Sequence, residues 1–424
     1  MTTTALRREI ELVSPTRQRV MGLIFLGAGL VIWWFFARPL DPETITKFGM
    51  TVGGAKATMP NLELPSQLTL NILAALCAIL GLLQLALPGG FKKRTNLVLG
   101  LVAALFVFAW LTVSAAGKSL NLAGLINTSL SKAVPLTLGA LSGILCERAG
   151  VVNIAIEGMM LMGAMVGALV GSITGNLWIG LGAAVLSGAL LGLVHGVLSI
   201  KYKTNQIISG TAINIFSTGM TSYISAKFMQ TNQALNNPGI FKPFEIPGMV
   251  QIPFFGPILF NNNLFVYMMF VFLFVIQIGL FYTRWGLRLR SVGEHPRAAD
   301  TLGINVFRTR YMAVILGAMM AGFAGGYFTL GSVGRFDEVM TAGRGFISLA
   351  AMIFGNWMPF GAFGAGLLFG FADSLASKLA ILGIKIPSQF LLMAPYVATM
   401  VVLAGVVGRG QMPAADGTPY EKEG

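Results

Sequence analysis

The chain has 424 residues, of which 55% are hydrophobic and only 11% are charged, and its mean hydropathy is +0.75. Soluble domains carry about 25% charged residues, so this composition excludes an ordinary soluble protein and is typical of a membrane protein. The formal net charge of +13 first suggests nucleic-acid binding. The basic residues lie mostly in short loops between apolar stretches, however, which is the pattern of the positive-inside rule. We therefore expect the chain to contact membrane lipid and no nucleic acid.

Twelve apolar segments follow one another along the chain. A bilayer core of about 30 Å requires roughly 20 apolar residues per helical span, and lipid accepts only helices or closed barrels. The length of the segments, without a period of two, predicts helices. We therefore predict an all-α polytopic membrane protein of about 11–12 membrane segments. The segments lie at residues 20–37, 68–88, 95–116, 130–146, 151–172, 177–200, 205–225, 262–283, 310–332, 344–355, 358–379 and 388–408.

Two of these segments are unusual. Residues 20–37 follow several arginines and could mimic a secretory signal, but no small-residue cleavage site comes after them, so we expect a retained first helix. The segment at 344–355 is too short to cross the membrane alone. We predict a half-helix that turns at residues 355–359 (GNWMP), a broken element of the kind that transporters place at their sites.

The charges also predict an orientation. When the N-terminus is placed inside and the segments alternate, most of the 29 lysine and arginine residues fall on the cytoplasmic side, as the positive-inside rule requires. We therefore expect a multi-pass protein of the plasma or inner membrane with both termini cytoplasmic. Residues 1–19 would form a cytoplasmic N-terminal segment. Residues 409–424, which are polar and contain Pro413 and Pro419, would form a loose cytoplasmic tail.

The residues for metal binding or covalent catalysis are scarce. Cys77 and Cys146 lie in or beside apolar segments, far apart in sequence, and are expected to be small buried hydrophobic residues. His195 lies in an apolar span and is expected to be a hydrogen-bonded packing residue, whereas His295 lies in a loop. We therefore expect no metal site and no catalytic residue, and hence a protein that is not an enzyme.

The loop at residues 286–310, GLRLRSVGEHPRAADTLGINVFRTR, is the most informative part of the sequence. Pro296 can begin a short helix, Glu294 lies near its start, where a carboxylate suits the helix dipole, and Gly303 can end it. One interpretation is an ordinary basic loop at the membrane surface. The other is a helix that docks into the groove of a partner protein.

The segment SVGEHPRAADTLGINV resembles the coupling loop of permeases in the branched-chain amino acid, ribose and simple-sugar ABC importer superfamily. Further motifs agree in order: ERAGVVNIAIEGMMLMGA at 147–164, SGTAIN at 209–214 and GFISLAAMIFGNWMPFGAFGAGLLFGFADSLA at 345–376. The ending APYVATMVVLAGVVGRGQMPAADGTPY resembles that of the nucleoside-type, purine nucleoside permeases of this superfamily. The resemblance runs from about residue 125 to 420.

The resemblance implies a type II importer permease, with a core domain at 117–408 and an additional three-helix region at 20–116. It implies three partners: ABC ATPase subunits, a second homologous permease and an extracytoplasmic solute-binding lipoprotein. ATP and magnesium would be bound by the ATPase, and no cofactor by this chain. The contact with the ATPase would fall on Gly293, Glu294, Pro296, Arg297, Ala298, Ala299 and Gly303, with Glu294, Arg297, Ala298 and Ala299 facing the ATPase.

The chain has no phosphate-binding loop of the GxxxxGK[ST] type. The nearest candidate is Gly117-Lys118-Ser119, but the residue five positions before Gly117 is Thr112 rather than glycine. We therefore expect a transport subunit without its own ATPase site.

Polar residues inside apolar segments are candidates for a translocation path. Asn153 and Glu157 are four residues apart and would share a helical face. An ionisable group in a membrane segment suggests function, although Glu157 could equally serve the fold. Asn205 and Asn214 lie in the seventh segment and Asp373 in the eleventh. Each could line a path or join helices by hydrogen bonds.

The sequence therefore predicts the permease subunit of an ATP-driven importer that moves a small polar solute, a nucleoside or a simple sugar, by alternating access. The alternative is an ion-coupled secondary transporter that uses Glu157 or Asp373 as its proton-binding carboxylate. A structural or assembly protein of the membrane is a third possibility. Outside the membrane, a charged loop of Arg335, Asp337, Glu338 and Arg344 could meet a binding protein or simply be solvated.

Overall fold

The computed structural model describes residues 14–55, 58–381, 393 and 411–422. The chain divides into two compact units. The first comprises the described residues of 1–124, 251–257 and 378–386, and the second those of 125–250, 258–377 and 387–424.

Three apolar helices and a small sheet form the first unit. The helices are α1 (Pro15–Val31, continued by a π-helical turn at Ile32–Ala37), α2 (Ser66–Ala86) and α3 (Thr95–Ser114), and the strands are β1 (Ile45–Gly49), β2 (Leu62–Pro65) and β3 (Ser119–Asn121). Strand β1 pairs with β2 in antiparallel and with β3 in parallel orientation. We did not predict this sheet, because strands of three to five residues are too short to show an alternating pattern.

Most of the second unit is helical. Its helices are α4 (Leu122–Glu147), α5 (Ile156–Thr174), α6 (Leu177–Gly196), α7 (Gln206–Ile224), α8 (Phe255–Leu259), α9 (Leu264–Tyr282), α10 (Arg284–Glu294), α11 (Pro296–Thr301), α12 (Val306–Gly326), α13 (Arg344–Phe354) and α14 (Pro359–Ile381), of which α4, α8 and α14 cross a unit boundary. Helices α6, α7 and α12 continue as π-helical turns at Val197–Lys201, Ser225–Met229 and Tyr327–Val333. Two short strands, β4 (Phe244–Glu245) and β5 (Asn261–Asn262), pair in antiparallel orientation.

The helices agree with the predicted membrane segments. Among the described residues, nine helices are long and apolar enough to cross a membrane. Every segment predicted before residue 382 corresponds to a helix, and α13 is the predicted short one. The segment predicted at 388–408 lies outside the described residues. The chain is therefore an all-α polytopic membrane protein, as its sequence predicted.

Glycines allow the central helices of the second unit to approach one another closely. A Cβ atom at Gly163 of α5 would lie 2.6 Å from the carbonyl oxygen of Gly322 in α12. A Cβ atom at Gly188 of α6 would overlap the carbonyl oxygen of Ala318, also in α12. Small residues are the usual means of close helix packing in lipid, where no hydrophobic effect drives helices together. Helix α12 therefore packs backbone to backbone against both α5 and α6.

The described C-terminal residues are packed onto the second unit. Ala415 donates its backbone N–H to the carbonyl oxygen of Gly293 at 2.9 Å. The ring of Tyr420 is 6% exposed and lies 5.4 Å, centroid to centroid, from the ring of Phe307. The prediction of a loose tail is therefore wrong for residues 411–422. Prolines and polar residues suggested a free end, but the partners of this segment are distant in sequence.

Replacing Gly188 with leucine should destabilise the bundle, because the new side chain would force α6 and α12 apart. Overpacking of this kind costs about 1–3 kcal/mol. The matched control is Gly182→Leu on the same helix, where nothing lies within 4 Å of an added Cβ atom. Thermal midpoints of the detergent-purified protein, read by size-exclusion chromatography after heating, would test this. Equal midpoints for the two variants would contradict the packing argument.

Candidate functional site

Helices α10 and α11 are two short helices outside the nine spans. The hydroxyl of Thr283 accepts the backbone N–H of Gly286 at 3.1 Å and caps the start of α10. Pro296 begins α11, as predicted, and Gly303, with φ of +80°, follows its end. The predicted helix is α11, and a further helix that we did not predict, α10, precedes it and ends at Glu294. The imidazole of His295 caps α11 by accepting the Ala298 N–H at 3.2 Å.

The residues expected to face a partner divide into exposed and buried ones. Glu294, Arg297 and Ala298 are exposed. Ala299 is only 2% exposed and packs in an apolar cluster, so the prediction that it faces a partner is wrong. Gly293 is also buried, and a Cβ atom there would overlap the carbonyl oxygen of Arg148. Because Gly293 has no side chain, α10 can rest directly on the backbone that follows α4.

The turn after α13 is held by the charged residues that end α4. Asn356 and Trp357 have φ values of +56° and +53°, a left-handed conformation that is unusual for a residue with a bulky side chain. The guanidinium of Arg148 donates to the carbonyl oxygen of Trp357 at 3.0 and 3.1 Å. The indole N–H of Trp357 donates to the carboxylate of Glu147 at 2.5 Å. The predicted turn is thus confirmed, whereas its partners were not foreseen.

Helix α5 begins later than predicted. Gly150, which follows α4, has a φ of +83° and is not helical. The first helical residue of α5 is Ile156. Asn153 therefore lies before the helix, buried, with its side-chain oxygen accepting the N–H of Ala155 at 3.1 Å. The prediction that Asn153 and Glu157 share a helical face is wrong.

Glu157 closes the N-terminus of α13 from a different helix. Glu157 is 8% exposed. It accepts hydrogen bonds from the hydroxyl of Thr341 at 2.6 Å and from the backbone N–H groups of Gly343 and Gly345 at 2.8 and 2.6 Å. The N-terminal N–H groups of a helix have no partner within the helix, and the dipole favours negative charge there. Glu157 therefore joins α5 to α13.

Asn214 makes a comparable connection to α7. Its side-chain oxygen accepts the N–H of Gly158 at 2.8 Å, and its side-chain nitrogen donates to the carbonyl oxygen of Ile154 at 2.9 Å. Asn205, in contrast, is exposed and caps its own helix by accepting the N–H of Ile207 at 2.9 Å. The start of α5 is thus tied to both α7 and α13, while Asn205 takes no part in this network.

Asp373 of α14 lies between two cations. Its carboxylate is 3.0 Å from the ammonium nitrogen of Lys132 and 3.8 Å from the guanidinium of Arg344. Sequence reasoning overlooked Lys132 and placed Arg344 in an external loop, whereas Arg344 is the first residue of α13. The side chains of all three are between about a quarter and a third exposed. Two cations therefore compensate the charge of Asp373.

His195 is a buried packing residue, as predicted. One ring nitrogen, Nδ1, lies 3.0 Å from the hydroxyl of Ser209, and Nε2 lies 2.9 Å from the carbonyl oxygen of Val152. The imidazole connects α6, α7 and the segment before α5.

A cavity of about 880 Å³ lies at the other end of α7 and α12 from the α10–α11 pair. Its walls are mostly polar and belong to the ends of the two helices and the loops beyond them. They include Ser225, Gln230, Asn236, Asn237, Arg335, Asp337 and Glu338. Arg335, Asp337 and Glu338 of the predicted charged loop therefore lie in a concave surface.

One exposed face of α7 carries hydroxyl groups. Thr211 and Thr218 are exposed, and Ser222, one turn further, is partly exposed. The three lie on one stripe of the helix. Helix α7 is not among the nine helices that are apolar enough to cross lipid.

Comparison with known proteins identifies one family. The family described as branched-chain amino acid transport system / permease component matches residues 125–407, so that the match begins where the second unit begins. No solved structure matches the chain significantly.

Three curated relatives carry transport names. A guanosine ABC transporter permease protein of Bacillus subtilis is 40% identical over 307 residues, which cover 70% of this chain and 96% of that protein. A nucleoside ABC transporter permease protein of Lactococcus lactis is 39% identical with the same coverage. A putative glucose ABC transporter permease protein of Haloferax volcanii is 34% identical over 253 residues, 60% of this chain and 77% of that protein.

Glu157→Gln should destabilise the protein, because an amide offers one acceptor oxygen to three donors and turns its own NH₂ group towards them. A buried donor left without a partner costs about 1–3 kcal/mol. The control is Glu43→Gln at an exposed carboxylate. We expect a lower thermal midpoint for Glu157→Gln only. If the variant inserts stably and transports at the normal rate, a role of Glu157 in the path is contradicted.

Proposed function

This chain belongs to the branched-chain amino acid transport system permease family, and we propose that it moves a nucleoside, with a purine nucleoside such as guanosine as the first candidate. As an ABC transporter permease it is a multi-pass membrane transport component. The observation that supports a nucleoside is the 40% identity to a guanosine permease along 96% of that protein. The putative glucose permease is less similar and is covered over 77% of its length. A simple sugar is the second candidate.

Exposed residues on α10 and α11 support a contact with ABC ATPase subunits. Glu294, Arg297 and Ala298 are presented together on a short helix pair outside the nine spans. ATP and magnesium would be bound by these subunits, so that this chain needs no ATPase site. The contact requires α10 and α11 to be cytoplasmic. The C-terminal residues would lie on the same side, because they pack on α10.

The exposed hydroxyl stripe of α7 supports a path shared with a second, homologous permease. The stripe also carries Ile215, which is 69% exposed, so this face combines polar and apolar groups and is suited to a protein neighbour. Thr211 and Thr218 already donate to carbonyl oxygens one turn earlier, each at 2.9 Å. Their remaining lone pairs could accept hydrogen bonds from a hydroxylated solute without holding it tightly.

The polar cavity at the opposite end supports docking of an extracytoplasmic solute-binding lipoprotein. Its volume of about 880 Å³ and its mixed charges suit a polar protein surface or the solute that is delivered. The guanidinium Nε of Arg335 lies 3.1 Å from the carboxylate of Asp337 in this loop. If the α10–α11 pair is cytoplasmic, this cavity faces the outside.

A continuous chain of contacts supports alternating access. Gly293 rests on the backbone of Arg148, and the Arg148 guanidinium holds the turn that ends α13. The other end of α13 is held by Glu157, next to the bond between Gly158 and Asn214 of α7. A push on α10 would reach α7 through α13, as conformational gating requires.

The alternative of an ion-coupled transporter is not favoured. Its two candidate carboxylates are already engaged, Glu157 by three hydrogen-bond donors and Asp373 by two cations. The relatives that carry a transport name are named as ABC transporter permeases.

We expect uptake of labelled guanosine by cells that express the assembled transporter to stop when ATP is depleted and to survive collapse of the proton gradient. Unlabelled nucleosides should compete at least tenfold more effectively than glucose. Uptake that follows the proton gradient would contradict the ABC mechanism. Competition by glucose alone would contradict the nucleoside assignment and favour the sugar.

Replacing Glu294 and Arg297 together with alanine should uncouple ATP hydrolysis from transport while membrane insertion stays intact, because both side chains project from the proposed contact. Solute moved per ATP hydrolysed, measured in proteoliposomes, should fall several-fold. The control is Lys47→Ala with Glu63→Ala, an exposed ion pair of the first unit at 2.7 Å. Unchanged uptake by the first variant would contradict the docking assignment.

A further inference from the structure

The C-terminal segment, residues 411–422, binds the last turn of α10. The N–H of Ala415 donates to the carbonyl oxygen of Gly293 at 2.9 Å. The neighbouring N–H of Ala414 donates to the carboxylate of Glu294 at 3.2 Å. Both acceptors belong to residues placed in or beside the proposed ATPase contact. The segment therefore binds the C-terminal end of α10.

The same segment binds elements of the bundle. The guanidinium of Arg310, which is 2% exposed in α12, donates to the carbonyl oxygen of Thr418 at 2.9 Å. The N–H of Gln411 donates to the side-chain oxygen of Asn356 at 2.8 Å, in the turn after α13. Each bond ties the C-terminal segment to an element that continues into the membrane region.

Asp416 is the most deeply placed charge of the segment. It is 8% exposed and interacts electrostatically with Arg310 of α12 and with Glu147 at the end of α4. A neighbouring cation favours the charged form of a carboxyl group, whereas burial and a second carboxyl group disfavour it. Asp416 is therefore the residue of the segment whose charge state is most sensitive to its attachment.

Tyr420 fills the space between the α10–α11 pair and α12. Its ring belongs to one apolar cluster with Val292 of α10, Ala299 of α11 and Val306 of α12, and Phe307 packs beside it. Without this ring the cluster would lose the member that the C-terminal segment contributes. Ala299, whose burial contradicted our sequence prediction, belongs to the same cluster.

We propose that the C-terminal segment is a positioning element for ATP coupling: it fixes the α10–α11 pair to α4, α12 and the turn after α13, so that displacement of the pair moves the bundle. This inference rests on the proposed contact between α10–α11 and the ATPase. The covalent links of the pair to the spans are at Thr283 and Gly303, and Gly293 rests on the backbone of Arg148. The C-terminal segment adds attachments to Arg310 of α12 and to Asn356 in the turn after α13, which hold the pair against pivoting.

Protonation gives the segment a measurable signature. Burial raises the pKa of Asp416 to about 7, while the hydrogen bonds from Glu147 and the backbone of Gly417 and the charge of Arg310 act in the opposite direction. Cys146 also lies close enough to interact with this carboxyl group. In a detached segment the same group would titrate near 3.8. Attachment is therefore strongest at low pH, weakens as the pH rises from about 4 through about 7, and is constant above.

The experiment compares variants of the full transporter in proteoliposomes by solute moved per ATP hydrolysed. Asp416→Lys places a second cation beside Arg310, and Tyr420→Ser removes the ring; each should lower the ratio at least fivefold while ATP hydrolysis continues. Asp416→Asn mimics the protonated acid and Tyr420→Phe keeps the ring, so both should retain the ratio. Met412→Ser, at an exposed position of the same segment, is the matched control.

A pH series adds a second measurement. Between pH 6 and 8 the ratio of the unmodified transporter should fall relative to that of Asp416→Asn. A wild-type complex without ATP-dependent uptake would contradict the proposed function itself. A coupled wild type with unchanged ratios in Asp416→Lys and Tyr420→Ser would contradict the positioning role alone. Failure of both variants to assemble, when Met412→Ser assembles, would also overturn it, because the segment would then serve folding rather than coupling.

Discussion

A helix that begins inside a membrane protein leaves backbone N–H groups that lipid cannot satisfy. In this protein the half-helix α13 begins in this way, and the carboxylate of Glu157 supplies the missing acceptors. Asn214 does the same for the N–H of Gly158 at the start of α5. The start of α13 therefore depends on a buried acid, which the composition of the chain otherwise avoids, and the start of α5 depends on a buried amide.

Helix α13 is bound at both of its ends by other parts of the second unit. One of its ends is bound by Glu157 within the bundle, and its other end leads into the turn that Arg148 and Glu147 hold. Gly293 of α10 lies against the backbone of Arg148. The half-helix therefore lies between the turn that Arg148 holds and the start of α5.

Four of the polar residues in or beside the spans hold parts of the fold together. Asn153 and Asn214 bind backbone groups, His195 joins three segments, and Asp373 pairs with two cations. On the exposed face of α7, in contrast, Thr211 and Thr218 donate to carbonyl oxygens of their own helix. Partners of this kind offset the cost of placing polar groups away from water.

The sequence by itself determined the membrane class, the order of the helices, the short α13 with its turn, and the start of α11 at Pro296 with its end before Gly303, because length, hydropathy and helix-ending residues are local properties. Only the tertiary structure decided that Ala299 is buried, that Glu157 caps a helix nearly two hundred residues away, and that residues 411–422 are bound to α10. These contacts join parts of the chain that are distant in sequence. No periodicity or capping rule records such contacts, since each depends on which backbone groups the folded bundle leaves without a partner.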